Sequence, residues 1–119
     1  MRLHRTVAAA VMLILLTSCG AYIVHPGAVS VAESKTYDLV NDANSIINIS
    51  RAQFASGVLP DRLKPAFNKL VDAYNVAYPA LQAYHDAVTK GLPADAKLTQ
   101  LNAAKATLDA SLAAFKGAK

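Results

Sequence analysis

The stretch DRLKPAFNKLVDAYNVAYPALQAYHDAVTK, residues 61–90, decides the fold. Its apolar residues Leu63, Phe67, Leu70, Tyr74, Ala77, Leu81, Tyr84 and Val88 recur at alternating intervals of four and three without a gap. A helix turns once in about 3.6 residues, so this spacing puts all eight on one face of a long amphipathic helix. Pro65 falls in the first turn, where a missing N–H is tolerated. Pro79 is the awkward residue, because it removes a hydrogen bond to the Asn75 carbonyl and crowds that carbonyl. Yet the seam passes through it in register, and Pro79 lies on the opposite face. The spacing therefore predicts one helix over 61–90, kinked near Pro79 with the proline on the convex side. A true break into two helices is the alternative.

On both sides of this stretch the chain carries the same punctuation. Gly57-Val58-Leu59-Pro60-Asp61 precedes it and Gly91-Leu92-Pro93-Ala94-Asp95 follows it. Each places a glycine where a helix C-terminus turns left-handed, and then an apolar residue able to pack back on the last turn. Each continues with a proline suited to a helix start and an aspartate suited to the positive end of the helix dipole. Links this short join antiparallel neighbours.

The flanking segments read as the other two helices. Leu98, Leu101, Ala104, Leu108, Leu112 and Phe115 share one face of a third segment, residues 94–116, with Lys105 at the seam edge. Lys116 and Lys119 suit its negative C-terminal end. In the first segment, residues 32–56, the stripe is Thr36, Val40, Ala43, Ile47, Ser50 and Phe54, flanked by Leu39 and Ile46. Ser45-Ile46-Ile47-Asn48-Ile49 is β-branched enough to suit a strand. One strand would have no partner, so a helix is expected. Three amphipathic helices with short links predict an all-α, up-down-up three-helix bundle over residues 32–119.

The N-terminus has a different character. Met1 to Arg5 carries Arg2 and Arg5, and residues 6–16 form a run that is apolar after Thr6. That is the length of a secretory h-region, about half of what crossing 30 Å of hydrocarbon requires. Leu16-Thr17-Ser18-Cys19 follows, and Cys19 is the only cysteine. This order of aliphatic, small, small and cysteine resembles the lipobox of bacterial lipoproteins, cut by type II signal peptidase. The resemblance covers residues 1–20. It implies that residues 1–18 are removed, that Cys19 carries the acyl chains, and that residues 19–31 tether the bundle to the membrane. Two or three acyl chains hold far more firmly than one, which binds only reversibly. An aspartate after the cysteine tends to mark inner-membrane retention in Gram-negative lipoproteins. Gly20 stands there, which implies an outer-membrane protein facing the periplasm. An unmodified thiol behind an ordinary secretion signal is the alternative.

Composition narrows the function classes. Without residues 1–18 the chain has ten Lys and Arg against eight Asp and Glu, a net charge near +2 instead of +4. No basic block argues for nucleic acid. Tyr22-Ile23-Val24-His25-Pro26-Gly27 has a Pro-Gly turn signal and no helical period; it reads as tether, or equally as an ordered segment packing on the bundle.

No constellation in the sequence points to catalysis. His25 and His85 lack the spacing partners of a zinc site, and no nucleophile or phosphate-loop motif occurs. Asp38 and Asp42 sit one turn apart and read as a solvated face. Neither metal nor cofactor is expected, and the chain is expected not to be an enzyme. A site assembled across helices is the alternative. The strongest candidate recognition surface is the stripe Val71, Tyr78 and His85, bordered by Tyr74 and Tyr84, because amphipathic aromatics are enriched at interfaces. It could meet an envelope protein or a second copy of this chain; alternatively, it packs on the third helix of the same bundle. Lys119 resembles the terminal lysine by which the major murein lipoprotein is joined to peptidoglycan. The Pro/Gly breaks and the absence of aromatic-basic residues beside it depart from that pattern.

Overall fold

A computed structural model describes residues 27–119. The signal-peptide, lipobox and Cys19 readings, and most of the tether, therefore lie outside the described residues. Three helices account for nearly all of the rest: α1 over Val31–Ala55, α2 over Lys64–Thr89 and α3 over Asp95–Ala118. A short 3₁₀ turn, Asp61–Leu63, leads into α2. The helices have 25, 26 and 24 residues, so all three span a common height of about 37 Å. The architecture is an all-α three-helix bundle. No strand occurs among the described residues, and the β-branched run around Ile47 is helical.

The core follows the seams closely. Leu63, Phe67, Leu70, Ala77, Leu81 and Tyr84 of the central stretch are buried. Tyr74 and Val88 are only half-buried, while Ala73 and Ala87 are fully inside. The buried face thus lies slightly to the alanine side of the expected seam. That side faces α3, with which α2 makes more extensive contact than with α1, and small alanine side chains leave room for a neighbouring helix. From α3 come Leu101, Ala104, Leu108, Leu112 and Phe115, and from α1 Leu39, Val40, Ala43 and Ile47.

Helix α2 runs unbroken through Pro79. The proline costs about 3 kcal/mol in a helix interior. Interrupting the helix there would give up burial of Leu81 and Tyr84, and a fully buried large apolar side chain contributes about 1.5–3 kcal/mol. Continuity wins, and Pro79 is left exposed on the outer face.

Both links end their helices identically. Gly57 and Gly91 adopt φ of 77° and 68°. The Val58 N–H donates to the Gln53 carbonyl and the Gly57 N–H to Phe54; Leu92 to Ala87 and Gly91 to Val88 repeat the pattern. These are Schellman motifs. One expectation fails here. Val58 and Leu92 do not pack back on the preceding turn but stand 67% and 57% exposed. The half-buried Leu59 and Ala94 pack against the core instead.

Candidate functional site

The polar chemistry of the bundle concentrates where α1 begins. Ser30 has extended backbone and caps α1, its hydroxyl accepting the Glu33 N–H at 3.1 Å. Ser and Glu three residues apart form a capping box, in which the glutamate ordinarily reaches back to the cap residue's own N–H. Here Glu33 reaches one residue further, and its Oε2 accepts the Val29 N–H at 2.6 Å. Its other oxygen, Oε1, lies 2.5 Å from Nδ1 of His85, near the end of α2. Beside this pair the Tyr84 hydroxyl donates to Ser30 Oγ at 3.4 Å.

Glu33 is wholly buried, while His85 keeps 30% of its side chain exposed. A buried carboxylate needs compensation. Three sources supply it: the Val29 N–H, the imidazole, and the positive end of the α1 dipole. Tyr37, one turn along α1, belongs to the same neighbourhood. Burial raises its phenol above the ordinary tyrosine value, and the charge of Glu33, then Tyr78 and Asp86, pushes in the same direction.

The recognition stripe is thereby located. Val71 and Tyr74 are half-buried against the core, Tyr84 is buried, and Tyr78 is 42% exposed. Tyr74 and Tyr78 stack at 6.1 Å with planes 6° apart. The stripe lies along the α1 side of α2, as the contacts of Tyr84 and His85 with Ser30 and Glu33 show. Val71 and Tyr74 also pack against the common core, to which all three helices contribute. Sequence reading missed Glu33 and Ser30 as partners, although the Ser-x-x-Glu spacing was the local sign of them. Asp38 and Asp42 are both exposed. The Lys119 ammonium rests over the Phe115 ring, 4.8 Å from its centroid.

A Glu–His pair can hold and move a proton, but Glu33 and His85 line neither of two cavities on the surface of the bundle. The larger, about 830 Å³, is an open apolar groove between α2 and α3, lined by Ala73, Val76, Pro79, Ala80, Ala103 and Thr107 among others. Val76 and His85 are nine residues apart, which places the groove on the opposite side of α2. A smaller one of about 330 Å³ lies between Val31, Lys35 and Lys105. Among the described residues no cluster of three His, Cys, Asp or Glu side chains could hold a metal. The arrangement is a latch. It fixes the start of α1 to the end of α2.

No protein family, curated protein or solved structure matches this chain.

Proposed function

We propose that this chain is a lipid-anchored protein of the bacterial cell envelope, whose helical bundle serves as a structural or protein-interaction module and not as an enzyme. The observation that carries the reading is Leu16-Thr17-Ser18-Cys19, set behind a basic start and an apolar run. Acylation of Cys19 would also account for a lone cysteine in an exported protein. Among the described residues no helix is long and apolar enough to cross a membrane. In this reading the hold on the bilayer therefore falls to the acyl chains. The Glu33–His85 latch supports it, because it braces the bundle at the point where the anchor would pull. Gly20 favours the outer membrane, with the bundle in the periplasm.

Intact mass of the protein extracted from membranes tests the anchor. The expected mass is that of Cys19 to Lys119 plus acyl chains. An unmodified chain in the soluble fraction would overturn the reading. Gly20→Asp is expected to move the protein from the outer to the inner membrane fraction of a density gradient.

The exposed Tyr78, stacked on Tyr74, favours an interaction role for the stripe. Tyr78→Ala should abolish capture of a partner, or of a second copy, without unfolding the bundle. Loss of stability alone would assign the stripe to internal packing.

A further inference from the structure

Folding gathers at one end of the bundle cations that the sequence scatters. Arg51 lies one turn before the end of α1, Arg62 and Lys64 lie at the start of α2, and Lys116 and Lys119 close α3. These ends are neighbours. The Arg62 guanidinium donates to the Ala118 carbonyl at 3.3 Å. Phe54 meets Phe67 at 5.1 Å and Phe67 meets Phe115 at 5.7 Å. All five cationic residues are exposed. The one side-chain carboxylate among them is Asp61, already paired with Lys64 at 3.0 Å.

From residue 19 onward the remainder of the chain has five Lys and seven Asp or Glu. The positive excess of that whole region, and more, therefore sits at this single end. Helix dipoles do not account for it. Two C-termini and one N-terminus meet here, a net of about half a negative charge, which one cation would offset. The tip is also apolar. The Schellman turn at Gly57 holds Val58 out at 67% exposure, in the link between α1 and α2 at this same end.

We propose that this end docks on the surface of an anionic phospholipid bilayer, with Val58 entering the headgroup region and the five cations meeting lipid phosphates. An exposed apolar side chain at a cationic end fits a bilayer better than a fully solvated polyanion, because surface binding combines buried apolar area with attraction to anionic lipid. The end lies a helix length, about 37 Å, from the start of α1. A bundle anchored through Cys19 would then hold its membrane at two points and lie along it. The proposal takes its setting from the lipid-anchored reading, but the docking itself does not depend on acylation.

The test uses the full protein extracted from membranes, its intact mass recorded, and reconstituted into vesicles of phosphatidylcholine alone. These are mixed with protein-free vesicles that contain phosphatidylglycerol, and capture of the second population is measured by co-flotation. Capture is expected with anionic vesicles only, and is expected to vanish near 1 M salt, where screening acts within about 3 Å. Arg51→Gln and Lys116→Gln should each weaken capture about fivefold, and Val58→Ser should weaken it further, with the thermal melt unchanged. Equal capture of neutral vesicles would overturn the proposal. So would an equal loss from Lys90→Gln with Lys97→Gln at the opposite end, or binding to purified peptidoglycan with no vesicle capture. If the mass shows no acyl chains, the anchor reading fails. The same chain added directly to anionic vesicles then tests the docking end by itself.

Discussion

The Glu33 carboxylate, with no solvent exposure at the first turn of α1, lies 2.5 Å from Nδ1 of His85 near the end of α2. The two residues are 52 positions apart, and their contact joins the two helices where the first begins. Removing one partner of a buried pair usually costs about 3–5 kcal/mol, because the other charge is left uncompensated. His85 is partly exposed, so water can approach and the loss should be nearer 2–3 kcal/mol. For a domain of this size His85→Ala should lower the Tm by about 10 °C or more. Glu33→Gln keeps the shape and most of the hydrogen bonding and should cost about 1 kcal/mol. Thermal unfolding followed by circular dichroism checks both. An unchanged Tm in His85→Ala would remove the latch.

Tyr37 sets an alkaline limit on the same region. Burial, then Glu33, Tyr78 and Asp86, raise its phenol above the ordinary value. The folded state thus holds the proton more tightly than the unfolded chain does. The resulting stabilisation is complete below the unfolded value, about pH 10, and is lost as pH rises through the raised folded value. Urea denaturation across that range should show stability falling less steeply in Tyr37→Phe than in the parent chain. Parallel slopes would refute the assignment.

Ser50 carries the opposite kind of polar group. Its hydroxyl is buried on the inner face of α1 with no hydrogen-bond partner, as is Oε1 of Gln53 one turn on. An unsatisfied buried group costs about 1–3 kcal/mol, and alanine is the better helix former. Ser50→Ala should therefore raise stability by about 1 kcal/mol in denaturant unfolding. A fall would mean that a bridging water satisfies the hydroxyl.

These residues show what was legible in the chain. The Leu70–Leu81 and Leu101–Leu112 seams and the Gly57 and Gly91 caps follow from local rules of period and backbone conformation, and the structure places them as read but for the half-buried Tyr74. Glu33 defied the expectation that a carboxylate stays in water. Its burial depends on which face α1 turns to His85, information spread over two helices and absent from either alone. Val58 and Leu92 stand exposed, against the expectation that they pack back, for a related reason. The glycine cap fixes the backbone, but the space left by the neighbouring helices decides whether the next side chain packs. The cationic end is the extreme case, since Arg51, Arg62 and Lys116 become neighbours only through the topology.

Pro79 offers a separate test of how far local cost yields to packing. It sits inside α2, exposed and away from the core face. Replacing it with alanine restores an N–H for the Asn75 carbonyl and removes a clash with that carbonyl. If the continuity of α2 is imposed by the buried seam against the preference of the proline, Pro79→Ala should stabilise the bundle by about 1–3 kcal/mol. A substitution at Val76, 62% exposed on the same outer face, provides the control: Val76→Ser removes no buried contact and should change stability little. If instead a kink at Pro79 is needed to keep both halves of α2 against α1 and α3, straightening the helix would pull Leu81 and Tyr84 out of register. Stability would then fall in urea unfolding, with helical content retained in far-ultraviolet circular dichroism. The sign of the change decides between a tolerated proline and a required one.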